Sequence, residues 1–231
     1  MPNEFAVEAL ARCPLFVGLD EESRRAIALT LRTRRFRRGE VLFHEGDPGD
    51  ALFIVASGAV KVVVPSDEGD EAILATLRRG DFLGELALLD GAPRSASAIA
   101  LEPTETLALP RNRFIALVGA EPAIRDALLS SLATELRRLT AHVAELHFLD
   151  LTGRLAARLT RLAEEHGTRA ADGSTRLDGP LTQSDLAAMI GATRQSVNKL
   201  LGEFMEEGLL RIDHETIVIP DLLALSRASR R

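Results

Sequence analysis

The sequence has one cysteine and no long apolar run, and both absences narrow the class of protein. Because Cys13 stands alone among 231 residues, one chain cannot build a disulfide framework, an iron–sulfur cluster or a cysteine-rich zinc site. The nearest approach to a membrane span, residues 51–60, ends at Lys61 and falls short of the ~18 residues needed. The first ten residues carry Glu4 and Glu8 and lack the pattern of a secretory signal. We therefore expect a cytoplasmic protein without a membrane segment.

Positive charge is also scarce, since 28 Lys and Arg stand against 34 Asp and Glu, a formal net charge of −6. Taken over the whole chain, that balance argues against a nucleic-acid binder, because coating phosphates requires basic charge. The charges are uneven along the chain, because residues 151–231 hold 11 basic and 11 acidic residues and residues 1–150 hold 17 and 23. The last part is therefore neutral, which is compatible with DNA binding through a few directed contacts.

Between residues 34 and 110, short β-prone runs alternate with glycine-containing turns. The runs are Val41–Phe43, Leu52–Val55, Val60–Val64, Ile73–Leu77, Ala96–Ala100 and Thr106–Leu109. Turn signals such as Ser57-Gly58 and Asp90-Gly91 separate them. Regular spacing of this kind predicts an antiparallel barrel or roll.

From Pro122 onwards the hydrophobic period lengthens from two to between three and four, which predicts a helix. Apolar residues at steps of three and four form a narrow stripe, here named the dimer seam: Leu129, Leu132, Leu136, Leu139, Val143 and Leu146. Charged residues such as Arg125 and Arg138 flank it, so the seam suits a partner helix better than a broad core. We expect a parallel two-fold homodimer. The alternative is that this helix packs on the roll of its own chain.

Two N-cap patterns lie close together in the last third of the chain. Residues 182–185 fit a capping box, Gly191 permits a tight turn, and Thr193 begins a second helix. The second helix has an apolar stripe of Val197, Leu200, Leu201, Phe204 and Met205. Residues 209–212 and 216–219 flank a short turn as a β-hairpin. Together these elements predict a winged helix-turn-helix.

Residues 80–96 combine glycine, acid and arginine in a pattern that suits an anionic ribose phosphate. Gly84 leaves backbone amides approachable, and Glu85 can accept a hydrogen bond from a sugar hydroxyl. Arg94 offers a planar fork for a phosphate beside the hydroxyl of Ser95. Residues 86–89 are predicted to form a short helical turn. Taken singly, an acid and an arginine nine positions apart are a solvated or structural pair, so only the joint pattern is informative.

The joint pattern resembles the CRP/FNR family of bacterial regulators over nearly the whole chain, including Phe148–Arg154 (FLDLTGR). The resemblance implies an α+β fold in three domains. These are a cyclic-nucleotide-binding sensory β-roll (a double-stranded β-helix or jelly roll) over residues 1–120, a long dimerisation helix over residues 121–149 and a winged helix-turn-helix DNA-binding domain over residues 150–231. It also implies a homodimer that binds pseudo-palindromic double-stranded DNA and is controlled by an effector such as cyclic AMP, with no further cofactor.

The residues that match the effector site of the family lie in the roll and on the long helix. They are Gly84, Glu85, Leu86, Arg94, Ser95, Ala96 and Thr140. The base-reading end departs from the pattern, because the two positions that contact adenine in cyclic-AMP-binding relatives hold Leu139 and Thr140. Thr140 keeps a hydroxyl, whereas Leu139 cannot form a hydrogen bond. Two alternatives therefore remain. The effector is another nucleotide, such as a cyclic dinucleotide, or the regulator acts without a ligand.

Other classes of function fit the sequence less well. A cyclic-nucleotide module that regulates an enzyme is disfavoured by the helix-turn-helix, and no cluster of nucleophile, base and orienting residue suggests catalysis. A ligand-independent architectural DNA binder leaves Glu85, Arg94 and Ser95 without a role. The histidines are scattered, so we predict neither a haem nor a metal site.

The polar strip of the second helix is expected to face the major groove. Arg194 and Gln195 lie in its first turn, and Asn198 and Lys199 follow at i+4. The resemblance implies that Arg194 donates a bidentate pair to a guanine. Where the family commonly has Glu, Gln195 offers a donor and an acceptor and prefers adenine, so we expect a half-site that departs from the family's TGTGA. Phosphate contacts suit four further residues: Thr182, Gln183, Thr193 and Ser196.

Two further expectations concern regions outside these sites. Seven arginines between residues 24 and 38 form the densest basic cluster, which we expect to be a solvated sheet edge. The resemblance implies that Arg32 and Arg34 match a patch that touches RNA polymerase. Phe148 to Gly153 is the expected hinge, whose movement would place paired recognition helices about 34 Å apart.

Overall fold

The computed structural model describes residues 4–66, 71–179, 181–214 and 216–229. The chain divides into two compact units, Met1–Leu136 and Arg137–Arg231. The division falls inside the long helix rather than at its ends, so that helix contributes residues to both units.

The first unit opens with two short helices that the sequence analysis did not assign, α1 (Glu4–Arg12) and α2 (Glu21–Ala28). Asp20 caps α2, since its Oδ1 accepts a hydrogen bond from the backbone N–H of Ser23 at 2.7 Å. Leu10 and Ile27 are buried in the same cluster as the strand residues Leu52 and Leu107. The two helices therefore close one end of the roll.

Eight strands of the described residues form the roll as two four-stranded antiparallel sheets. They are β1 (Arg32–Phe36), β2 (Val41–Phe43), β3 (Ala51–Ser57), β4 (Ala59–Pro65), β5 (Glu71–Arg78), β6 (Phe82–Leu83), β7 (Ser97–Ala100) and β8 (Thr104–Pro110). The sheet orders are β1-β8-β3-β6 and β2-β7-β4-β5. A six-residue helix, α3 (Glu85–Asp90), lies between β6 and β7. The predicted roll is confirmed, and β1 and β6 are added to it.

The tight turn from β3 to β4 depends on glycine. Gly58 has φ +84°, and a Cβ there would lie 2.5 Å from Thr104 Oγ1. The Thr104 hydroxyl has two carbonyl acceptors within hydrogen-bond distance, Ala59 O at 3.1 Å and Glu102 O at 2.8 Å. This buried hydroxyl fastens the turn to the start of β8, so the turn signal at Ser57-Gly58 marks a structural requirement.

Two helices follow the roll, α4 (Arg111–Ala120) and the 27-residue α5 (Pro122–Phe148). The long helix predicted from the heptad-like steps is present. Its first turns pack on the roll, since Ile124 and Leu128 are buried in the core cluster and Leu132 packs against that cluster. The other five residues of the dimer seam are exposed. Within the first unit, the start of α5 therefore packs on the chain's own roll.

The second unit contains a winged helix-turn-helix, as predicted. After α5 come α6 (Leu151–His166), β9 (Thr168–Arg169), β10 (Thr175–Leu177), α7 (Gln183–Ile190), α8 (Arg194–Glu206), β11 (Arg211–Asp213), β12 (Thr216–Ile219) and α9 (Leu222–Ala228). The four strands pair in the order β11-β12-β10-β9. The wing is the hairpin of β11 and β12; Glu215, which the sequence placed in its turn, lies outside the described residues.

Both helix starts of the helix-turn-helix are capped as the sequence predicted. Thr182 Oγ1 accepts from the N–H of Asp185 at 3.1 Å, and Asp185 Oδ2 accepts from the N–H of Thr182 at 2.9 Å. Thr193 Oγ1 accepts from the N–H of Ser196 at 3.1 Å. Gly191 has φ +66° at the turn between the helices. These caps satisfy amide groups that a helix start otherwise leaves unbonded.

The structure sharpens two expectations for this unit. Met205 is 43% exposed, so the buried part of the apolar stripe of α8 ends at Phe204. Gly153, the last residue of the expected hinge, is buried in the first turn of α6, and its N–H donates to Asp150 Oδ1 at 2.8 Å. The non-helical break between α5 and α6 is confined to Leu149 and Asp150.

Candidate functional site

The side chain of Arg94, in the predicted anion site, is held in place by several contacts. It is 3% exposed and lies between β6 and β7. Nη1 donates to Gly84 O at 2.6 Å and Nη2 donates to Ala51 O at 2.7 Å. The guanidinium also lies over the ring of Phe43, 4.3 Å from its centroid. These contacts hold a positive charge in one orientation inside the roll.

This buried charge is paired with a carboxylate at the protein surface. Its nearest carboxylate, Asp50, is exposed and lies 3.5 Å from Nη2. Burial lowers the pKa of Arg94, and the negative charges of Asp50 and Glu85 oppose that effect. Nε is buried and has no hydrogen-bond partner among the described residues. Because a buried donor without a partner costs free energy, this arrangement suits an anion.

Glycine is required beside Arg94 for a steric reason. Gly84 has φ +89°, and a Cβ at this position would collide with Arg94 Nη1. The left-handed conformation turns the Gly84 carbonyl to the guanidinium and begins α3 directly afterwards. The structure thus shows the Gly84 carbonyl as an acceptor for Arg94, and the approachable amides at Gly84 stay a prediction.

Glu85 is the first residue of α3 and is half-buried. Its pKa is raised above the ordinary value, first by burial, with a further contribution from the negative charge of Glu135 on α5. The positive charge of Arg94 acts on the pKa of Glu85 in the opposite direction. The structure therefore brings Glu85 and Arg94 within electrostatic range of each other in one unit.

The other predicted effector residues divide by exposure. Leu86 and Ser95 are exposed and Ala96 is buried. Thr140 is exposed on the part of α5 that belongs to the second unit. Phe43, whose ring supports the guanidinium, was missed by the sequence analysis because nothing in the run Val41–Phe43 distinguishes it from an ordinary strand residue.

The predicted DNA-reading residues occupy one face of α8. Arg194, Gln195, Asn198 and Lys199 are exposed, whereas the opposite face is buried through Val197, Leu200, Leu201 and Phe204. Lys199 Nζ lies 3.6 Å from Glu203 Oε1 in an exposed pair. Such pairs are weak, so Lys199 can exchange Glu203 for a phosphate or base at little cost.

The polar residues at the helix starts already have partners. Gln183 Nε2 donates to Asn198 Oδ1 at 3.1 Å, which links α7 to α8. The Thr182 hydroxyl donates to Asp185 Oδ2 at 2.7 Å, and the hydroxyls of Thr193 and Ser196 are 2.9 Å apart. These residues thus also stabilise the helix-turn-helix.

In the second unit, Arg154 has a positioning role that the sequence did not reveal. Arg154 Nη2 donates to Leu146 O at 2.8 Å and Nε donates to Leu149 O at 3.0 Å, both at the end of α5. Nη1 lies 3.5 Å from Ile190 O at the end of α7. One guanidinium therefore connects the last carbonyls of α5 with the first helix of the helix-turn-helix.

Comparisons with known proteins agree with this arrangement. The family described as cyclic nucleotide-binding domain matches residues 33–121, and the Crp-like helix-turn-helix domain matches residues 153–228. A CRP-like cAMP-activated global transcriptional regulator from Mycobacterium tuberculosis is 35% identical over 96% of this chain and 99% of its own length. The cyclic AMP receptor protein of Thermus thermophilus is 35% identical over 92% of this chain and 94% of its own length.

Among solved structures, a transcriptional regulator of the CRP/FNR family from Thermus thermophilus has a TM-score of 0.70 and 29% identity, covering 87% of this chain and 99% of that one. A roll that matches a cyclic nucleotide-binding domain, a long helix and a Crp-like winged helix-turn-helix together define a CRP-like transcription regulator. The chain belongs to the CRP/FNR family. Its relatives are transcriptional regulators rather than enzymes. Within the described ranges, no helix has both the length and the hydrophobicity to cross a membrane.

Proposed function

We propose that this protein is a cytoplasmic homodimeric regulator whose binding to pseudo-palindromic DNA is controlled by a small anion, a cyclic nucleotide such as cyclic AMP, in the roll. The observation that carries the proposal is the buried guanidinium of Arg94, whose Nε has no partner among the described residues. A phosphate at Arg94, beside the exposed hydroxyl of Ser95 and the carboxylate of Glu85, would pair this charge.

The effector's identity rests on two further points. Relatives that are 35% identical are named for activation by cyclic AMP or as a cyclic AMP receptor, which supports a cyclic mononucleotide. Leu139, in contrast, offers no hydrogen bond to a base. Cyclic dinucleotides and a ligand-free regulator are therefore the alternatives that a binding experiment must separate.

The exposed part of the dimer seam supports a homodimer. Leu129, Leu136, Leu139, Val143 and Leu146 lie on α5 with their side chains exposed, and apolar steps of three and four are typical of paired helices. An effector that prefers the DNA-competent arrangement of the paired helices would shift the population to it.

DNA recognition is assigned to the exposed face of α8. Arg194 is proposed to read a guanine, and Gln195 an adenine where the family's usual acid accepts from cytosine. Selection of binding sites from random duplexes is expected to return half-sites that keep the guanine and differ from TGTGA at the base read by Gln195; recovery of TGTGA unchanged would contradict this assignment.

Contact with RNA polymerase is proposed for Arg32 and Arg34. Both are exposed on β1, an edge strand that pairs only with β8 among the described strands. Charge reversal at both positions is expected to reduce promoter activation while DNA affinity stays unchanged. Full activation by that variant would remove the polymerase contact.

Isothermal titration calorimetry with cyclic AMP, cyclic GMP and cyclic di-GMP tests the effector proposal. Arg94→Ala is expected to abolish binding of the active nucleotide. Because Arg94 also anchors the roll, the exposed residue Ser95 supplies a second variant: Ser95→Ala is expected to weaken binding by about tenfold, the cost of one bond to a charged group. Ser130→Ala, an exposed serine on α5, is the matched control. Absence of binding across the whole panel would favour a ligand-free regulator.

A further inference from the structure

The first helix of the helix-turn-helix contacts the predicted DNA-reading face of the second through one pair of side-chain amides. Gln183 is the first residue of α7, and its Nε2 donates a hydrogen bond to Asn198 Oδ1 at 3.1 Å. Asn198 is exposed on α8, one turn after Arg194 and therefore on the same helix face. A residue of the neighbouring helix thus already occupies an acceptor on the DNA-reading face.

The orientation of the Asn198 amide decides which base edge it can read. An asparagine amide has one carbonyl oxygen that accepts hydrogen bonds and one NH2 group that donates them. In the major groove, asparagine recognises adenine with both atoms, since the oxygen accepts from N6 and the nitrogen donates to N7. That pairing requires both atoms to face the same base. Here Oδ1 faces Gln183 instead, so Nδ2 is the amide atom that remains to contact a base.

Both amides are carried by a backbone that is held in place. Thr182 and Asp185 form the capping box at the start of α7, and Val197, the residue before Asn198, is fully buried. Because the backbone is already ordered on both sides, the bond between Gln183 and Asn198 requires only the ordering of two side chains. An approaching duplex is negatively charged, so it favours the orientation in which the N–H groups of Asn198 point outward.

We propose that Gln183 is a specificity-determining residue, which holds Asn198 as a hydrogen-bond donor and so makes it select guanine or thymine in place of adenine. In the major groove, guanine presents O6 and N7 as acceptors and thymine presents O4. The inference rests on the proposed function, because it requires α8 to lie in the major groove. It gives Gln183 a role that a phosphate contact does not supply, since a phosphate contact positions the protein without selecting a base.

Selection of binding sites from random duplexes by the full-length protein, with and without cyclic AMP, tests the inference. Asn198→Ala locates the base that Asn198 reads, because the preference at that base is lost in the variant. Wild type is expected to select guanine or thymine there. Gln183→Ala releases the Asn198 amide and is expected to shift the preference to adenine by about tenfold, the discrimination that one good base contact provides.

Two further variants sharpen the test. Gln183→Glu introduces a carboxylate, which only accepts hydrogen bonds, so Asn198 must turn Nδ2 to α7 and Oδ1 to the groove. The preference is then expected to move to a base with an exposed amino group, adenine or cytosine. Ser184→Ala is the matched control, because Ser184 is exposed in the same turn of α7; it is expected to select the same half-site as wild type.

The outcomes separate this inference from the proposed function. Adenine at the Asn198 position in wild type, or the same base preference in wild type and Gln183→Ala, would overturn the role of Gln183. An Asn198→Ala variant that keeps every wild-type preference, or a shift of equal size in Ser184→Ala, would also overturn it. In each of these cases, a guanine preference that is lost in Arg194→Ala would leave the proposed DNA recognition in place. If wild type selects no sequence with or without cyclic AMP, both proposals fail. Thermal unfolding of each variant verifies that it is folded.

Discussion

At the scale of single residues, the candidate site combines two ionisable groups whose charged forms are made unfavourable by burial. Arg94 is a charge buried among backbone carbonyls and the ring of Phe43. Glu85 is a carboxylate whose charged form is opposed by burial and by Glu135. Residues that cost stability in the free protein and match one ligand chemistry are typical of binding sites. The cost is the physical reason to assign these residues to function rather than to the core.

The raised pKa of Glu85 predicts how stability depends on pH. The folded state favours the protonated carboxyl, so this group stabilises the fold most below the ordinary pKa, and that stability is lost as the pH rises through the raised pKa. Glu85→Gln removes the effect. Urea unfolding of the ligand-free protein is expected to find the variant more stable than wild type at neutral pH and the difference smaller near about pH 4.

The same substitution has the opposite effect on ligand binding. Glu85→Gln is expected to weaken cyclic nucleotide binding by about tenfold or more, since a hydrogen bond to a charged group contributes about 1.5–3 kcal/mol. A variant that lost stability at neutral pH, or that bound the nucleotide as tightly as wild type, would show that Glu85 is a structural residue.

At the scale of secondary-structure elements, α9 secures the start of α6. Leu225 and Ala228 of α9 are buried, and Ser229 O lies 3.0 Å from the position that a Cβ on Gly153 would occupy. Arg154, the next residue, bonds the end of α5. At the start of α6, the absence of a side chain at Gly153 therefore allows the close approach of Ser229. The guanidinium of Arg154 bonds the end of α5 to α6.

A pair of glycine substitutions tests this packing. Gly153→Ala is expected to destabilise the protein by about 1 kcal/mol, because the added methyl overpacks against α9. Gly202→Ala in α8 meets nothing within 4 Å and is expected to stabilise by about 0.5–1 kcal/mol through helix propensity. Chemical denaturation curves measure the free energy of unfolding of both variants. A stabilised Gly153→Ala variant would show that the chain around α9 moves to accommodate the methyl group without cost.

The elements that could be predicted are those whose patterns are local. Alternating apolar runs with glycine turns predicted the roll, and the caps at Thr182 and Thr193 predicted α7 and α8. In contrast, β1 is a strand because it pairs with β8, not because RTRRF is β-prone. The strand β6 has two residues and α9 seven, too few for a period to be read. Packing between distant segments decides such elements.

In the candidate site, too, the residues that could be predicted are those that lie close together in the sequence. Gly84, Glu85 and Arg94 lie within eleven residues and could be recognised together. Phe43 lies under Arg94 because β2 pairs with β7, and the guanidinium of Arg154 approaches the carbonyl of Ile190, which is 36 residues away in the sequence. No local pattern reveals contacts of that kind.

At the scale of the whole molecule, the proposed function requires two copies of the chain. The seam residue Leu136 is 66% exposed in the single chain. Leu136→Asp is expected to yield folded monomers with weak DNA binding, because a charge at a paired helix seam costs more than it does in water. Leu223→Asp is the control, since Leu223 is 68% exposed on α9. Sedimentation of both variants measures the effect; a dimeric Leu136→Asp protein would move the interface elsewhere.

The central claim is that a cyclic nucleotide at Arg94 and Ser95 controls DNA binding by α8. Fluorescence anisotropy of a labelled duplex carrying the selected half-sites measures it directly, with wild type and Ser95→Ala titrated against cyclic AMP. The account predicts that cyclic AMP tightens DNA binding by about tenfold or more, and that Ser95→Ala reaches the same final affinity at about tenfold higher nucleotide. Equal DNA affinity with and without cyclic AMP, cyclic GMP or cyclic di-GMP would contradict it.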